Sequence, residues 1–172
     1  MLKPQDILVL LKLVAVAKKG WAYNKLAVEL DMSSSEIHAA CKRALSARLA
    51  GLRDRTIVPN IRNLEEFIVS GLRYVYYPVR GEMVRGMATA YAAEPLSEIF
   101  VADQEPPPVW PDPNGTVRGM AFSPLYKSAP KAAKADNDLY QMLVLVDAIR
   151  GGQARERNIA IELLKKRFSQ YE

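Results

Sequence analysis

Apolar positions in the first third of the chain recur at three- and four-residue intervals, the period of a helix with one buried face. Residues 6–17 form the first such run. Ile7, Leu8, Val9, Leu10, Leu11, Leu13 and Val14 crowd it, only Asp6 and Lys12 carry charge, and Gly20 supplies the stop. Pro4 is compatible with its first turn, where a missing N–H costs nothing. A second run over residues 23–30 places Leu26, Ala27 and Leu30 on one face. Ser33 and Glu36 then make a capping box: the serine accepts from a free N–H of the first turn, and the glutamate reaches back. A third helix is predicted to start there and reach about residue 48. Its apolar stripe is Ile37, Cys41, Ala44, Leu45 and Arg48, with Arg48 snorkelling at the edge.

Beyond residue 50 the pattern shortens. Residues 51–58 suit one or two strands, with Arg53 and Arg55 near a tip. Asn63 and Glu66 resemble another capping box, and Gly71 marks a stop, so a short helix with Leu64, Phe67 and Ile68 inward is predicted. Residues 72–77 alternate and are rich in β-formers, the signature of a strand. The pentapeptide VRGMA then occurs twice, at residues 84–88 and 117–121, 33 residues apart. Tyr77-Pro78 and Trp110-Pro111 each precede a copy by seven residues, and Arg80-Gly81 and Asn114-Gly115 supply turn signals between. In extended chain Val84, Gly86 and Ala88 share one face, with Arg85 and Met87 on the other. The second copy sets Val117, Gly119 and Ala121 against Arg118, Met120 and Phe122. The small-residue face lets another strand or helix come close. A duplicated hairpin, paired about a local twofold, is predicted.

The proline-rich residues 105–113 read as a stiff polyproline-like connector anchored by Trp110. Residues 127–134 read as a basic linker. Two helices follow, over 138–150 with Leu139, Met142, Leu143, Val146 and Ile149 apolar, and over 155–168 with Ile159, Leu163 and Leu164. Gly151-Gly152 separates them into a helical hairpin. The fold class is therefore α+β, in four parts: 1–58, 59–71, 72–126 and 127–172.

Composition narrows the function. Apolar content of 49% and charged content of 25% are those of a soluble globular protein. One cysteine cannot form an internal disulfide, and one cysteine with one histidine cannot supply a soft metal site. No cofactor signature is present. Residues 7–17 mimic a secretory signal, but Lys12 interrupts them and eleven residues are too few to span a bilayer. A buried first helix, a cytoplasmic location and no membrane partner are expected. The net charge is +5, and residues 1–58 hold ten Lys and Arg against five Asp and Glu, whereas the remainder is balanced. That asymmetry directs the N-terminal third toward a polyanion.

Opposite the apolar stripe, the third helix carries Ser35, Ala39, Lys42, Arg43 and Ser46, with His38 on the flank. Short polar side chains let a backbone approach a major groove, while Lys and Arg reach phosphates or guanine. The stretch LAVELDMSSSEIH, residues 26–38, resembles a helix-turn-helix. It is similar to the LAxxLxMSxSxI pattern of winged-helix bacterial regulators such as the MarR-like group, over about residues 4–58. The turn glycine usual in that pattern is Asp31 here, a residue that tolerates left-handed geometry. The resemblance implies that residues 34–47 are a recognition helix and that a β-hairpin wing follows residue 49. DNA contacts are then expected from Lys25, Ser34, Ser35, His38, Ala39, Lys42, Arg43 and Ser46, with Arg53 and Arg55 on a short or incomplete wing. Cys41 is expected in the core and His38 at the surface.

Three functions follow. The leading one is a sequence-specific DNA-binding transcriptional regulator, a homodimer because DNA half-sites come in pairs, repressing its own operon. The alternative is an antitoxin-like or defence-operon interaction protein whose C-terminal part binds a partner protein from the same operon. An enzyme is not expected: Glu82, Glu94 and Asp112 have no partner at motif spacing. Arg85 and Arg118 are read either as a convergent pair holding a ligand or partner anion, or as arginines tied to internal carboxylates.

Overall fold

The computed structural model describes residues 1–101 and 105–171. The chain is α+β, with two small sheets among helices. Helix α1, Pro4–Val16, leads to α2, Tyr23–Leu30, and α3, Ser34–Ser46. A two-stranded hairpin of β1, Ala50–Arg53, and β2, Thr56–Pro59, follows. A continuous helical segment then runs through α4, Ile61–Glu66, a π-type turn, Phe67–Gly71, and α5, Leu72–Val75. Strands β3, Arg80–Ala88, β4, Pro108–Pro111, and β5, Val117–Phe122, close into a small barrel. Helices α6, Ala129–Ala135, α7, Asn137–Gly151, and α8, Ala154–Ser169, complete the chain.

Two helices are apolar nearly all round, and the rest of the molecule covers them. In α1, every residue from Asp6 to Leu13 is buried. In α7, every residue from Met142 to Arg150 is buried. The two helices pack on one another. Helix α3 and strand β2 cover α1, while α6, α8 and the barrel side cover α7. The hydrophobic core is therefore continuous across the boundary expected near residue 58.

Several polar groups are buried with this core, and among the described residues all but the Ser128 hydroxyl find a partner. Lys12 is 3% exposed, and its ammonium donates to Asp136 at 2.6 Å and pairs with Glu29 at 2.9 Å. Asp136 also caps α7 by accepting from the Leu139 N–H at 3.1 Å. On α7 the Asp147 carboxylate accepts from Thr89 Oγ1 at 2.6 Å, Trp110 Nε1 at 2.7 Å and Arg150 Nε at 2.9 Å. Arg150 in turn donates to the carbonyls of Tyr76 at 2.9 Å and Ser123 at 2.5 Å.

The structure corrects four sequence expectations. Residues 72–77 are not a strand; α5 continues the preceding helix because Leu64, Ile68 and Leu72, four residues apart, are all fully buried on one face. Burial at helical spacing overrides the local preference of Tyr and Val for strands. That helix begins earlier than expected, with Asn60 accepting from the Asn63 N–H, and it passes through Gly71 as a π-type turn rather than stopping. Residues 129–135 form α6 instead of a linker, burying Ala129, Ala132 and Ala133. The proline-rich run contributes β4, and its Trp110 is fully buried.

The repeated pentapeptide takes a form other than two hairpins. Arg80-Gly81 lies inside β3 rather than in a turn. The two copies are neighbouring antiparallel strands: Val84 faces Gly119, Arg85 faces Arg118, and Gly86 faces Val117. The pairing exchanges one copy for the other about an axis through the two arginines. The small-residue face has a specific use. Strand β4 crosses it, antiparallel to β3 and parallel to β5. A Cβ on Gly86 would stand 2.0 Å from the Trp110 carbonyl oxygen, and one on Gly119 would stand 2.0 Å from that of Pro107. The same pentapeptide thus makes the same close approach on each side of β4.

Gly86→Ala and Gly119→Ala are expected to cost about 3 kcal/mol each, since the obstructing atoms are backbone and cannot rotate away. Gly51→Ala, where nothing lies within 4 Å of the new Cβ, is expected to change stability by less than about 0.5 kcal/mol. Urea denaturation of the three variants checks this. The Lys12 cluster gives a pH test. Burial opposes the Lys12 charge, but Asp136 and Glu29 outweigh it and raise its pKa. Burial raises the Asp136 carboxyl, but Lys12 and the Leu139 N–H outweigh that and hold it below the usual carboxylate range. Stability from Asp136 is present above its ordinary pKa of about 4 and lost as pH falls below it. Stability from Lys12 is present below about pH 10 and lost above. Lys12→Met is therefore expected to cost about 3 kcal/mol at pH 7 and clearly less at pH 3 in paired urea melts.

Candidate nucleic-acid interface

Helices α2 and α3 meet through a short turn that the sequence prescribes. Asp31 caps α2 in the left-handed region at φ 52°. Its neighbour Met32 is buried, and Ser33 then opens α3 by accepting from the Glu36 N–H at 3.2 Å. The Glu36 carboxylate accepts from the Ser33 N–H at 2.7 Å, completing the box. Hydrogen bonds from the Ser33 backbone and side chain, with Lys127 and Tyr126 nearby, hold the Glu36 carboxyl below its usual range. Ile37, Ala40, Cys41 and Ala44 face the core. Three of these four are small, so α3 seats closely on α1. Burial, with Asp6 near, pushes the Cys41 thiol up to about 11, which keeps it protonated and unreactive at neutral pH.

The other side of α3 is open. Ser35, His38, Ala39, Lys42 and Ser46 are all exposed. Their steps of three, one, three and four residues keep them on one exposed side of the helix. Ser34 lies beside it, half-buried, with its hydroxyl 3.3 Å from the Asn24 side-chain oxygen. Lys25 is exposed on α2, 4.0 Å from Glu29. Arg48 is exposed rather than on the apolar stripe. It occupies the left-handed position at φ 60° that ends α3, where the Leu49 N–H returns to the Ala44 carbonyl at 2.9 Å.

Arg43, expected at the groove, is turned inward. Its Nε and Nη2 donate to the two carboxylate oxygens of Asp6 at 2.8 and 2.7 Å. Asp6 is fully buried in the first turn of α1 and also accepts from the Lys3 N–H at 2.9 Å. A buried carboxylate needs a matched cation, and Arg43 supplies it as a two-pronged pair. Helical spacing alone could not distinguish Lys42, which has no ion pair among the described residues, from Arg43 beside it.

The hairpin after α3 is complete, though short. Arg53 faces Thr56 across a two-residue turn, Asp54-Arg55, with φ of 49° and 64°. Two left-handed residues are the type I′ arrangement that suits a twisted hairpin. Asp tolerates it, but Arg55 pays a conformational cost there that Gly would not. Both Arg53 and Arg55 are exposed.

Two residues that the sequence reading missed join the hairpin to α3. Tyr23 stacks on His38 with ring centroids 3.8 Å apart and 19° between planes. Trp21 meets Tyr23 edge-on at 5.1 Å. Trp21 and Arg53 line one cleft, together with Gly20, Thr56 and Tyr171. Arg53, Trp21, Tyr23 and His38 thus form a path from the hairpin to the α3 stripe. The signal available was Trp-Ala-Tyr just before α2, but without the fold those rings read as ordinary core.

Arg85 and Arg118 lie elsewhere, on the outer face of the barrel. Both are exposed, and among the described residues neither forms an ion pair or a side-chain hydrogen bond. The internal carboxylate partners that one reading expected are not found among the described residues. Among the described residues no group of three or more His, Cys, Asp and Glu is gathered as for a metal ion, and no helix is long and apolar enough to cross a membrane. Asp112 is held by Lys134 and the Asn114 N–H, which keep its carboxyl below the usual range.

Arg43→Ala is expected to destabilise the fold by about 3 kcal/mol, because it strands the Asp6 carboxylate. Lys42→Ala, one residue away, is expected to change stability by less than about 0.5 kcal/mol. Thermal unfolding of both variants checks the contrast. Comparison with protein-family models, curated protein sequences and solved structures yields no match to this chain.

Proposed function

We propose that this protein is a sequence-specific, double-stranded DNA-binding regulator built on a winged helix-turn-helix, acting as a homodimer to repress its own operon. The observation that carries the reading is the open stripe of Ser35, His38, Ala39, Lys42 and Ser46 on α3. Helix α3 is the recognition helix. Its small side chains admit the backbone to a major groove, and Lys42 supplies the reach to a base edge or phosphate. The β1–β2 hairpin is the wing, with Arg53 and Arg55 placed for phosphate or minor-groove contact. Lys25 and the helix ends around it add backbone contacts. The basic excess of residues 1–58 supports the same face. Arg43 is excluded from the contact set and serves as the internal partner of Asp6.

The backbone at Arg55 adds support. A residue held at φ 64° against its preference is often retained for function. Arg55→Gly relieves that strain.

A second reading rests on a separate observation. Tyr74, Val75, Tyr77 and Val79 are all more than half exposed where α5 gives way to β3. A run of exposed apolar side chains marks an interaction surface. This supports an antitoxin-like or defence-operon protein that holds a partner encoded beside it. A stoichiometric partner co-purified from the native host favours this reading, and a clean homodimer opposes it.

The leading reading is tested with the DNA upstream of the protein's own gene, by fluorescence anisotropy at several salt concentrations. Wild type is expected to bind with an affinity that falls steeply with salt, and Lys42→Ala with Arg53→Ala to weaken it at least tenfold. Arg55→Gly is expected to raise stability by about 0.5–1 kcal/mol while weakening binding. Equal binding by the Lys42/Arg53 variant removes α3 and the wing from the interface.

A further inference from the structure

We propose that Arg85 and Arg118 together clamp one phosphate group on the outer face of the barrel. The argument begins with the register. The two arginines face one another across β3 and β5. The Arg85 carbonyl accepts from the Asp112 N–H at 3.0 Å, so its backbone groups point toward β4 and away from β5. The Met120 N–H donates to the Pro107 carbonyl at 2.9 Å, so Met120 also points toward the β4 side, as does Arg118 two residues earlier. Arg85 and Arg118 are therefore a non-hydrogen-bonded pair, the class in which facing residues stand closest, at about 4.5 Å between Cα atoms. Both side chains leave the same face.

Two like charges at that position oppose folding. Nothing among the described residues relieves them. Among the described residues neither guanidinium meets a carboxylate, and the acid that follows β4, Asp112, is engaged by Lys134. The arrangement is unfavourable in the free protein and becomes favourable when an anion sits between the two side chains.

The anion's chemistry follows from donors and charge. One guanidinium fork saturates the two oxygens of a carboxylate. Two forks offer twice the donors and two positive charges. A phosphate matches them, with more oxygens and up to two negative charges. Met83 and Met120, also paired across the strands, lie on the same face two residues from the arginines and are 42% and 36% exposed. They give the organic part of a phosphate ester an adaptable apolar surface. The phosphate can come from a nucleic-acid backbone or from a small phosphorylated ligand. The clamp stands on the barrel alone and does not rest on α3 contacting DNA.

The test uses the full chain and Arg85→Gln/Arg118→Gln. The side-chain Nε–H signals of Arg85 and Arg118 are followed by NMR as inorganic phosphate is added, with sodium chloride at matched ionic strength as control. In parallel, the salt dependence of duplex binding is measured for both proteins. Removal of the like-charge contact is expected to leave Tm equal to or above wild type. Phosphate-specific shifts of both arginine signals support the clamp. If the slope of log affinity against log salt also falls by about 1 in the variant, the source is a backbone phosphate. An unchanged slope with retained shifts identifies a small phosphorylated ligand. Absence of both responses overturns the proposal. So does a fall in Tm of several degrees in the variant, which would show the arginines to be holding the barrel together.

Discussion

One carboxylate joins most of the molecule. Asp147 is 1% exposed, within the stretch of α7 that is buried all round. It accepts from Thr89 at the end of β3, from Trp110 on β4 and from Arg150 one turn along α7. Arg150 carries the connection onward to the end of α5 and the end of β5 through the Tyr76 and Ser123 carbonyls. A charge so thoroughly removed from water is tolerable only when all its partners are present. The barrel, the α5 end and α7 are therefore assembled together. Tyr140 reinforces the joint by donating to the Ala88 carbonyl at 2.6 Å while its ring lies against Trp110.

Buried ion pairs at the N-terminal end likewise set which side chains of α3 stay exposed. Asp6 is buried and takes Arg43 inward; Lys12 is buried and ties α1 to α2 and to the start of α7. These two clusters use charges that a surface count assigns to solvent. What remains outside on α3 is a stripe of short side chains with one lysine. The basic character of the face then depends on Lys25, Lys42, Arg53 and Arg55. The aromatic path from Trp21 through Tyr23 to His38 makes the hairpin and α3 parts of one surface.

Much of this was legible in the sequence. Ser33 and Glu36 announced the start of α3, and the apolar stripes of α1, α2 and α7 located their buried faces. The glycines of the repeated pentapeptide foretold a close approach, and Trp110 an anchor. The misses share a cause: each was decided by a partner distant in sequence. Leu72 continued a helix through β-forming residues because α5 packs against α7, far along the chain. The copies of VRGMA became partners of each other because β4, from a proline-rich run, crossed both. Arg43 and Lys42 are adjacent letters with opposite fates, and only the position of Asp6, 37 residues earlier, separates them.

The central claim is that the exposed stripe of α3 and the β1–β2 hairpin form one nucleic-acid face. Backbone amide mapping by NMR tests it most directly, titrating the labelled protein with duplex DNA from upstream of its gene. The account requires the largest shifts at Ser35, His38, Ala39, Lys42 and Ser46, together with residues 53–56 and Trp21. Arg43 should move little, being held by Asp6. Shifts confined to residues 74–83 and the outer face of the barrel, with α3 silent, would contradict it.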